Sequence, residues 1–293
     1  MKILVTGATG MLGVKVMDAL LERVAVEDLV ISARNPDKAL GLKEQGVDVR
    51  KADYEDPASL EQAFKGIDKL LLISSQGDDE SRIRQHSNVI YAAEKCGVEL
   101  IVYTSISKPE ESTLPVAEVH RQTEQLIRES GIPFTFLRNN WYIENEIPTV
   151  KNVLEGGPVL TSAEDGRVGW VPRVDYAEAA AAVLSSSGHA NKVYELSGNP
   201  SSYADMAREL TAILGRRVTV RNVDDRTYQE VLVANGAPEI MAEFSVEIQQ
   251  SIRNGDLDIE SDDLPRLMGR PAITLNQSLT EIVNQFNYQN PTK

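Results

Sequence analysis

The chain has 293 residues, which is enough for one large domain or for a main domain with a smaller lobe. Its 44 acidic and 30 basic residues give a formal net charge of −14, which disfavours nucleic acid and anionic membranes as partners. No stretch approaches the roughly 18 consecutive apolar residues needed to cross a membrane. Glycines follow the first apolar run too early for a signal peptide, so we predict a soluble cytoplasmic protein. The single cysteine, Cys96, excludes an internal disulfide and a cysteine-based metal site.

Short apolar runs alternate with helical patterns over the first 140 residues. The runs are KILVTG, DLVISAR, VDVRKAD, DKLLLISS, ELIVYTS and PFTFLRN. Near-continuous apolar runs are typical of strands in a parallel sheet that is covered on both faces. Several of the helical segments between them stop at glycine, a common helix end. The alternation predicts an α/β fold with a Rossmann-like, doubly wound parallel sheet over residues 1–145.

The pattern loosens after residue 145. PVLTS, GRVGWVP, NKVYELSG and RRVTVRNV are typical of short strands, and SYADMARELTAILG, residues 224–254 and SLTEIVNQFN indicate helices. VDYAEAAAAVLSSSGH predicts another helix, which Asp175 is expected to cap near its start. We predict a smaller α+β lobe over residues 146–293 that packs on the main sheet and whose elements can interleave with it.

The strongest local signal is a glycine turn in ILVTGATGMLGVKV. Gly7, Gly10 and Gly13 are spaced G-x-x-G-x-x-G between the first strand and the first helix. Glycines permit a tight turn and let the backbone approach a pyrophosphate, while the helix N-terminus offers unpaired N–H groups. The alternative is a purely structural turn. The context of strand, turn and helix favours dinucleotide binding.

The ends of the next strands suggest which dinucleotide binds. Arg34 lies about 20 residues past the glycines, where an arginine accommodates the 2′-phosphate of NADP; a plain surface residue is the alternative interpretation. After the third strand, Asp53 either accepts from the adenine amino group or caps the following helix, and Tyr54 is placed to flank the ring. The fourth strand ends in three polar residues expected to face the ribose or pyrophosphate, namely Ser74, Ser75 and Gln76.

Two amides, an indole and a phenol follow the sixth strand in LRNNWYIEN. This composition is unusual for pure packing at the carboxyl end of a sheet, where ligands of α/β proteins bind. Ordinary core aromatics are the alternative interpretation of Trp141 and Tyr142.

Taken together, these motifs resemble the NmrA-like, atypical short-chain dehydrogenase/reductase family. Within that family they are most similar to the bacterial NADPH-dependent quinone oxidoreductases of type 2 and the triphenylmethane reductases. The resemblance extends over essentially the whole chain. It rests on TGATGMLG, ARNPDKA, KADYEDPASLEQAFKGIDKLLLIS, IVYTS, FTFLRNNWYIEN, VPRVDYAEAAAAVL and ANKVYELSG.

The resemblance implies an NADP(H) cofactor, a Rossmann domain and a small substrate lobe, with no metal or flavin. It implies that the pyrophosphate is held by Gly7, Ala8, Thr9, Gly10, Met11 and Leu12. It assigns the nicotinamide side to Asn139, Asn140, Trp141, Tyr142, Ile143 and Glu144. Arg34 would hold the 2′-phosphate, Arg173 would contact cofactor or substrate, and Ser105 is a further candidate at the end of the fifth strand.

The helix after the fifth strand departs from the family of typical short-chain reductases. Those enzymes keep Tyr-x-x-x-Lys there as a proton-donating pair, whereas this chain has His120-x-x-x-Glu124. Three interpretations stay open. His120 donates a proton and Glu124 orients it, or the pair shapes a pocket for an acceptor that needs no strong acid, or the pair is a surface or groove contact. His120, Glu124 and Tyr142 are the candidate catalytic residues.

The sequence therefore predicts an NADPH-dependent oxidoreductase that passes hydride to a quinone or a similar conjugated small molecule. One alternative is an NADP-binding redox sensor without turnover, and another is an azo or triphenylmethane dye reductase. Pairing into a homodimer stays open, as does the physiological acceptor.

Overall fold

The computed structural model describes residues 1–289. Its strands, numbered in chain order, are β1 (Ile3–Val5), β2 (Leu29–Ala33), β3 (Asp48–Lys51), β4 (Lys69–Leu72), β5 (Leu100–Ile106), β6 (Phe134–Asn139), β7 (Trp141–Tyr142), β8 (Val159–Thr161), β9 (Arg167–Val168), β10 (Trp170–Val171), β11 (Lys192–Leu196), β12 (Ser201–Ser202) and β13 (Val220–Asn222). Seven of them form one parallel sheet in the order β11-β6-β5-β4-β1-β2-β3. This order confirms the predicted doubly wound architecture.

The helices are α1 (Met11–Leu21), α2 (Leu40–Glu44), α3 (Pro57–Ala63), α4 (Asp79–Cys96), α5 (Ala117–Glu129), α6 (Ile147–Leu154), α7 (Arg173–Ser185), α8 (Tyr203–Leu214), α9 (Asp225–Ala234), α10 (Glu239–Arg253), α11 (Asp263–Met268) and α12 (Leu275–Gln289). The sequence pattern did not predict α6 or α11. Among residues 1–289, no helix has the length and apolar character needed to cross a membrane.

Helices cover both faces of the sheet, which explains its continuous apolar runs. On one face, α1 packs against α7, and α7 packs against α11. The alanines of α7, Ala179–Ala182, keep this helix close to α1 because helix spacing depends on side-chain size. On the other face lie α3, α4 and α5. A fully buried side chain such as Leu20 of α1 contributes roughly 1.5–3 kcal/mol to folding.

A second hydrophobic core holds the lobe together. It is formed mainly by α6, α8, α10 and α12 with the short ladder of β8 and β13. A parallel pair of β7 and β10 and an antiparallel pair of β9 and β12 connect this core to the end of the main sheet. The division at residue 145 stays a prediction. Beyond that residue, α7 and β11 lie in the layers of the main sheet, so the two parts interleave.

The prediction that Asp175 caps α7 is wrong. Pro172 occupies the N-cap position, and it provides no side-chain cap. Asp175 is fully buried, where it accepts hydrogen bonds from Nη2 of Arg270 at 2.7 Å and from the backbone nitrogen of Ile273 at 2.8 Å. The carboxylate therefore fastens the segment after α11 to α7, a contact between positions distant in sequence that local capping rules do not include.

Candidate cofactor site

The candidate site lies at the carboxyl edge of the main sheet. From β1 the strand order continues to β2 and β3 on one side, and from β4 it continues to β5 and β6 on the other. The loops after β1 and β4 therefore lead away from each other, and a crevice opens between them. The ends of β1 to β6 and the loops after them, with Arg173 at the start of α7, bring the predicted cofactor residues to this one edge.

The glycine turn is shaped by close contacts between backbone atoms. Gly7 has a φ of +61°, and its carbonyl accepts from the backbone nitrogen of Gly10 at 2.9 Å. A Cβ added at Gly13 would lie 2.2 Å from the carbonyl oxygen of Gly7 and 2.6 Å from Cα of Ala8. Helix α1 therefore packs directly on the turn. Its N-cap, Gly10, has no side chain to occupy the first-turn N–H groups, which fits a phosphate ligand.

Ala8 and Leu12 have buried side chains, and the Leu12 side chain packs in the core of the main sheet. They can contribute backbone groups to the site. Thr9 and Met11 are exposed at its mouth.

Arg34 lies directly after β2, where its side chain is exposed. Its positive charge acts on Tyr54, although burial dominates and raises the pKa of that phenol. Tyr54 donates to the carbonyl of Ile73 at 3.4 Å, which joins the ends of β3 and β4. The structure thus brings Arg34 and Tyr54 together on the same side of the crevice.

The helix-cap interpretation of Asp53 is wrong. Asp56 caps α3, since its side chain accepts from the backbone nitrogens of Ala58 and Ser59. Asp53 is half-buried and accepts from the backbone nitrogen of Glu55 at 3.0 Å. A role toward adenine stays a prediction.

The segment after β4 is held by its neighbours. The backbone nitrogen of Ser74 donates to Oγ1 of Thr104 at 3.0 Å, and that of Ser75 donates to Nε2 of His86 at 2.9 Å. Gln76 is exposed. The two serines are therefore fixed at the crevice by β5 and α4.

Buried polar atoms without a hydrogen-bond partner in residues 1–289 concentrate at the ends of β5 and β6. They include Oγ of Ser105, Oδ1 of Asn139 and Oδ1 of Asn140. An unpaired buried polar atom costs roughly 1–3 kcal/mol, so such a group marks a place where a ligand supplies the missing partners. The donors and acceptors fit a polar cofactor such as a dinucleotide.

Tyr142, Glu144 and Arg173 form one cluster beside Asn139. Nδ2 of Asn139 donates to the Tyr142 hydroxyl at 3.0 Å, and the Arg173 guanidinium lies 4.9 Å from the centre of the Tyr142 ring. Oε1 of Glu144 accepts from the backbone nitrogen of Arg173 at 2.9 Å. Burial raises the pKa of Tyr142, so the phenol keeps its proton at neutral pH.

Three further residues of the LRNNWYIEN segment, Asn140, Trp141 and Ile143, contact the lobe. Ile143 is buried in the lobe core, and Trp141 is half-buried against it. Nδ2 of Asn140 donates to Oγ of Ser197 at 3.2 Å and to the carbonyl of Leu257 at 3.0 Å. These contacts tie the end of β6 to the lobe.

The structure does not join His120 to Glu124. Nδ1 of His120 lies 2.8 Å from the Tyr103 hydroxyl, whereas Glu124 forms two hydrogen bonds with Arg138 at 2.9 and 2.7 Å. Burial, with the charge of Arg82, holds the pKa of His120 well below its usual range. Both residues are buried, so neither makes a contact on the protein surface, while a contact without a role in turnover stays open. A catalytic role for either residue stays a prediction.

Sequence reasoning missed two buried polar residues of α4, Arg82 and His86. The segment SRIRQHSN has the composition of a solvated helix face. A signal was present nonetheless. The buried stripe of α4 runs through Ala93 and Val89, and stepping back by helical spacing leads to His86 and then Arg82.

Known proteins are similar to this chain in sequence and in fold. A family model described as NAD(P)H-binding matches residues 7–187. Quinone oxidoreductase 2 of Escherichia coli is 40% identical over 286 residues, which cover 97% of this chain and 100% of that protein.

Two crystal structures match over nearly the whole chain. The E. coli NADPH-dependent quinone oxidoreductase complexed with NADPH superposes with a TM-score of 0.93 at 40% identity, covering 96% of this chain and 100% of that one. The triphenylmethane reductase of Citrobacter sp. complexed with NADP(H) also has a TM-score of 0.93, at 38% identity and the same coverage. These findings confirm the family resemblance that the sequence motifs predicted. The chain belongs to the NAD(P)H-binding family of Rossmann-like proteins that includes these reductases.

Proposed function

We propose that the protein is an NADPH-dependent oxidoreductase that reduces a quinone or a similar flat, conjugated small molecule. The observation that carries this proposal is full-length similarity to a quinone oxidoreductase, combined with the chemistry of α5. The Tyr-x-x-x-Lys pair is absent from α5, and Glu124 is held in an ion pair. A quinone suits such a site because it accepts hydride without strong acid assistance.

When bound, NADPH supplies the hydride. The residues of the chain hold and orient the cofactor. The glycine turn would bind the pyrophosphate, and Ser105 and Asn139, with their unpaired oxygens, would bind the polar groups of the nicotinamide side. Trp141 and Tyr142, both half-buried, offer aromatic surface on which a flat acceptor can stack. A cytoplasmic location is part of this proposal.

A steady-state assay of NADPH oxidation tests the proposal. Purified protein without added flavin should oxidise NADPH in the presence of small benzoquinones and naphthoquinones. Triphenylmethane dyes belong in the same panel because of the similarity to the Citrobacter enzyme. Turnover with the dyes alone would favour a triphenylmethane dye reductase, the second candidate function. NADPH binding with no turnover of any acceptor would contradict both and favour the redox sensor.

Arg34 should determine the preference for NADPH over NADH. Replacing Arg34 by Ala removes the cation at the end of β2 and should weaken NADPH binding about tenfold or more, since charge-assisted bonds are among the stronger ones. NADH affinity should change little. Dissociation constants for both cofactors, measured by titration calorimetry, check this. Equal losses for NADPH and NADH would contradict the assignment of Arg34 to the 2′-phosphate.

A further inference from the structure

Arg82 is a buried cation without an anionic partner. Its side chain lies in the first turn of α4 and is 7% exposed. Among residues 1–289, no carboxylate forms a salt bridge with its guanidinium. Nη2 donates to Oγ of Ser74 at 2.9 Å, and the buried Nε has no partner.

The groups around Arg82 do not neutralise it. The side chain lies beside Tyr103, and its charge lowers the pKa of both His86 and His120, which burial already keeps neutral. Asp79 lies one turn earlier on α4 and favours the charged guanidinium, but Asp79 is exposed and forms no salt bridge with it. A buried guanidinium without an anion is costly to a fold, so its presence calls for a partner outside the chain.

The contact with Ser74 points toward the crevice. Because the guanidinium donates to Oγ of Ser74, that oxygen is used as an acceptor, and its hydrogen can be donated either to the neighbouring Tyr103 hydroxyl or to a ligand in the crevice. Ser74 is half-buried directly after β4, at the carboxyl edge where the cofactor residues meet. A positive charge behind this hydroxyl makes it a stronger donor to an oxygen in the crevice.

We propose that Arg82 is a positioning residue of the cofactor site, which acts through the Ser74 hydroxyl on a phosphate or ribose oxygen of the nicotinamide half of the dinucleotide. This inference rests on the proposed binding of NADPH. The strand order supports the choice of half. Ser74 follows β4, whereas Arg34 follows β2 on the opposite side of the β1–β4 crevice. The two cations thus serve different halves of one ligand.

Two ligands distinguish these halves. NADPH contains both, whereas 2′,5′-ADP contains the adenosine half with its 2′-phosphate and lacks the nicotinamide ribose. Replacing Arg82 by Met should weaken NADPH binding about tenfold and change 2′,5′-ADP binding less than twofold. Replacing Arg34 by Ala, the matched control, should weaken both ligands.

A double-mutant cycle tests the route through Ser74. The variant Ser74→Ala should weaken NADPH binding by a similar factor. The double variant Arg82→Met with Ser74→Ala should bind NADPH no more weakly than either single variant, because each single substitution already removes the same interaction with the cofactor. Without ligand, Arg82→Met should melt at the same temperature as the wild type or higher, because an uncompensated buried charge has been replaced by an apolar side chain.

The outcomes separate this inference from the proposed function. A wild type that binds no NADPH refutes the function itself. A wild type that binds NADPH while Arg82→Met binds it equally well overturns the role of Arg82. Additive losses in the double-mutant cycle, or equal losses for both ligands, also overturn it. If Arg82→Met fails to fold, Ser74→Ala still decides, since unchanged NADPH affinity in that variant contradicts the proposed route.

Discussion

Arg138 on strand β6 and Arg82 on helix α4 are two buried arginines with nearly the same exposure, 8% and 7%. Arg138 has three carboxylate partners, whereas Arg82 has one hydroxyl. Burial alone therefore does not indicate what a charged residue does. A compensated charge belongs to the architecture, and an uncompensated one points to a ligand.

The Arg138 cluster joins four parts of the chain. Its guanidinium contacts Glu124 of α5, Glu110 of the loop after β5 at 2.6 Å and Glu195 of β11 at 3.2 Å. Arg128 adds a second cation 3.0 Å from Glu124 and lies 4.7 Å from the centre of the Phe136 ring. Glu124 therefore orients α5 against the sheet, a structural use of a residue that the sequence put forward for catalysis.

The largest effect is expected from replacing Arg138 by Met. The change leaves the fully buried Glu124 with Arg128 as its remaining cation, and breaking such a pair costs about 3–5 kcal/mol. Urea unfolding at pH 7 should show this loss in the free energy of unfolding. Arg138→Lys keeps the charge but not the two-point contact, and should lose less.

A matched control is the exposed pair of Arg226 and Glu230 on α9. Replacing Glu230 by Gln should change stability by less than about 0.5 kcal/mol, as is usual for exposed helix pairs. If Arg138→Met proved as mild as this control, the contrast between compensated and uncompensated arginines would fail.

The second effect is a loss of stability in acid from His86. Burial and the charge of Arg82 lower the pKa of His86 from 6.5 to about 3. Below pH 6.5 His86 is protonated in the unfolded chain but stays neutral in the folded chain. The free energy of unfolding is therefore highest above that pH and falls as the pH decreases toward 3. One such group removes about 2 kcal/mol between pH 7 and pH 5.

The variant His86→Gln isolates this contribution. Its stability relative to the wild type should improve as pH falls from 7 to 5, measured by urea unfolding at each pH. His189→Asn is the comparison. His189 is only partly buried before the amino end of β11, where its Nδ1 lies 2.8 Å from the Tyr194 hydroxyl, and burial lowers its pKa as well, so a smaller improvement in the same direction is expected. A stability difference independent of pH in His86→Gln would contradict this, since it would mean that the pKa of His86 is the same in the folded and the unfolded chain.

The smallest effect is expected from His120→Ala on turnover. His120 is buried and engaged with Tyr103, so we expect less than a tenfold loss in kcat with a quinone and unchanged affinity for NADPH. Steady-state kinetics with a parallel measurement of NADPH binding check this. A loss of a hundredfold or more at unchanged NADPH affinity would restore His120 as the proton donor.

Local signals in the sequence were sufficient for the fold. The apolar strand runs, the glycine helix ends and the G-x-x-G-x-x-G turn each depend on neighbours within a few residues, and all six early strands are confirmed. The short helices α6 and α11 were missed because they are stabilised by packing, α6 in the lobe core and α11 against α7, and not by a local sequence signal.

The polar interior could not be predicted in the same way. Asp175 finds its partner 95 residues away in Arg270, and Arg138 finds Glu195 57 residues away. Such pairings have no local signature. His120 and Glu124 share one helix face in the sequence. In the structure, however, His120 contacts Tyr103 and Glu124 contacts Arg138, so the two residues belong to separate hydrogen-bond networks.

The interleaving of the two parts has a consequence for how the chain folds during synthesis. The outer strand β11 and the covering helix α7 come after the first lobe elements have been made. Until residue 196 has left the ribosome, β6 is an open sheet edge, and until residue 185 has done so, one face of α1 lacks its partner. Parallel pairing over such distances in sequence is slow. The nascent main sheet therefore exposes an apolar face and an unpaired strand for much of translation, and surfaces of this kind are the ones that aggregate or that chaperones bind.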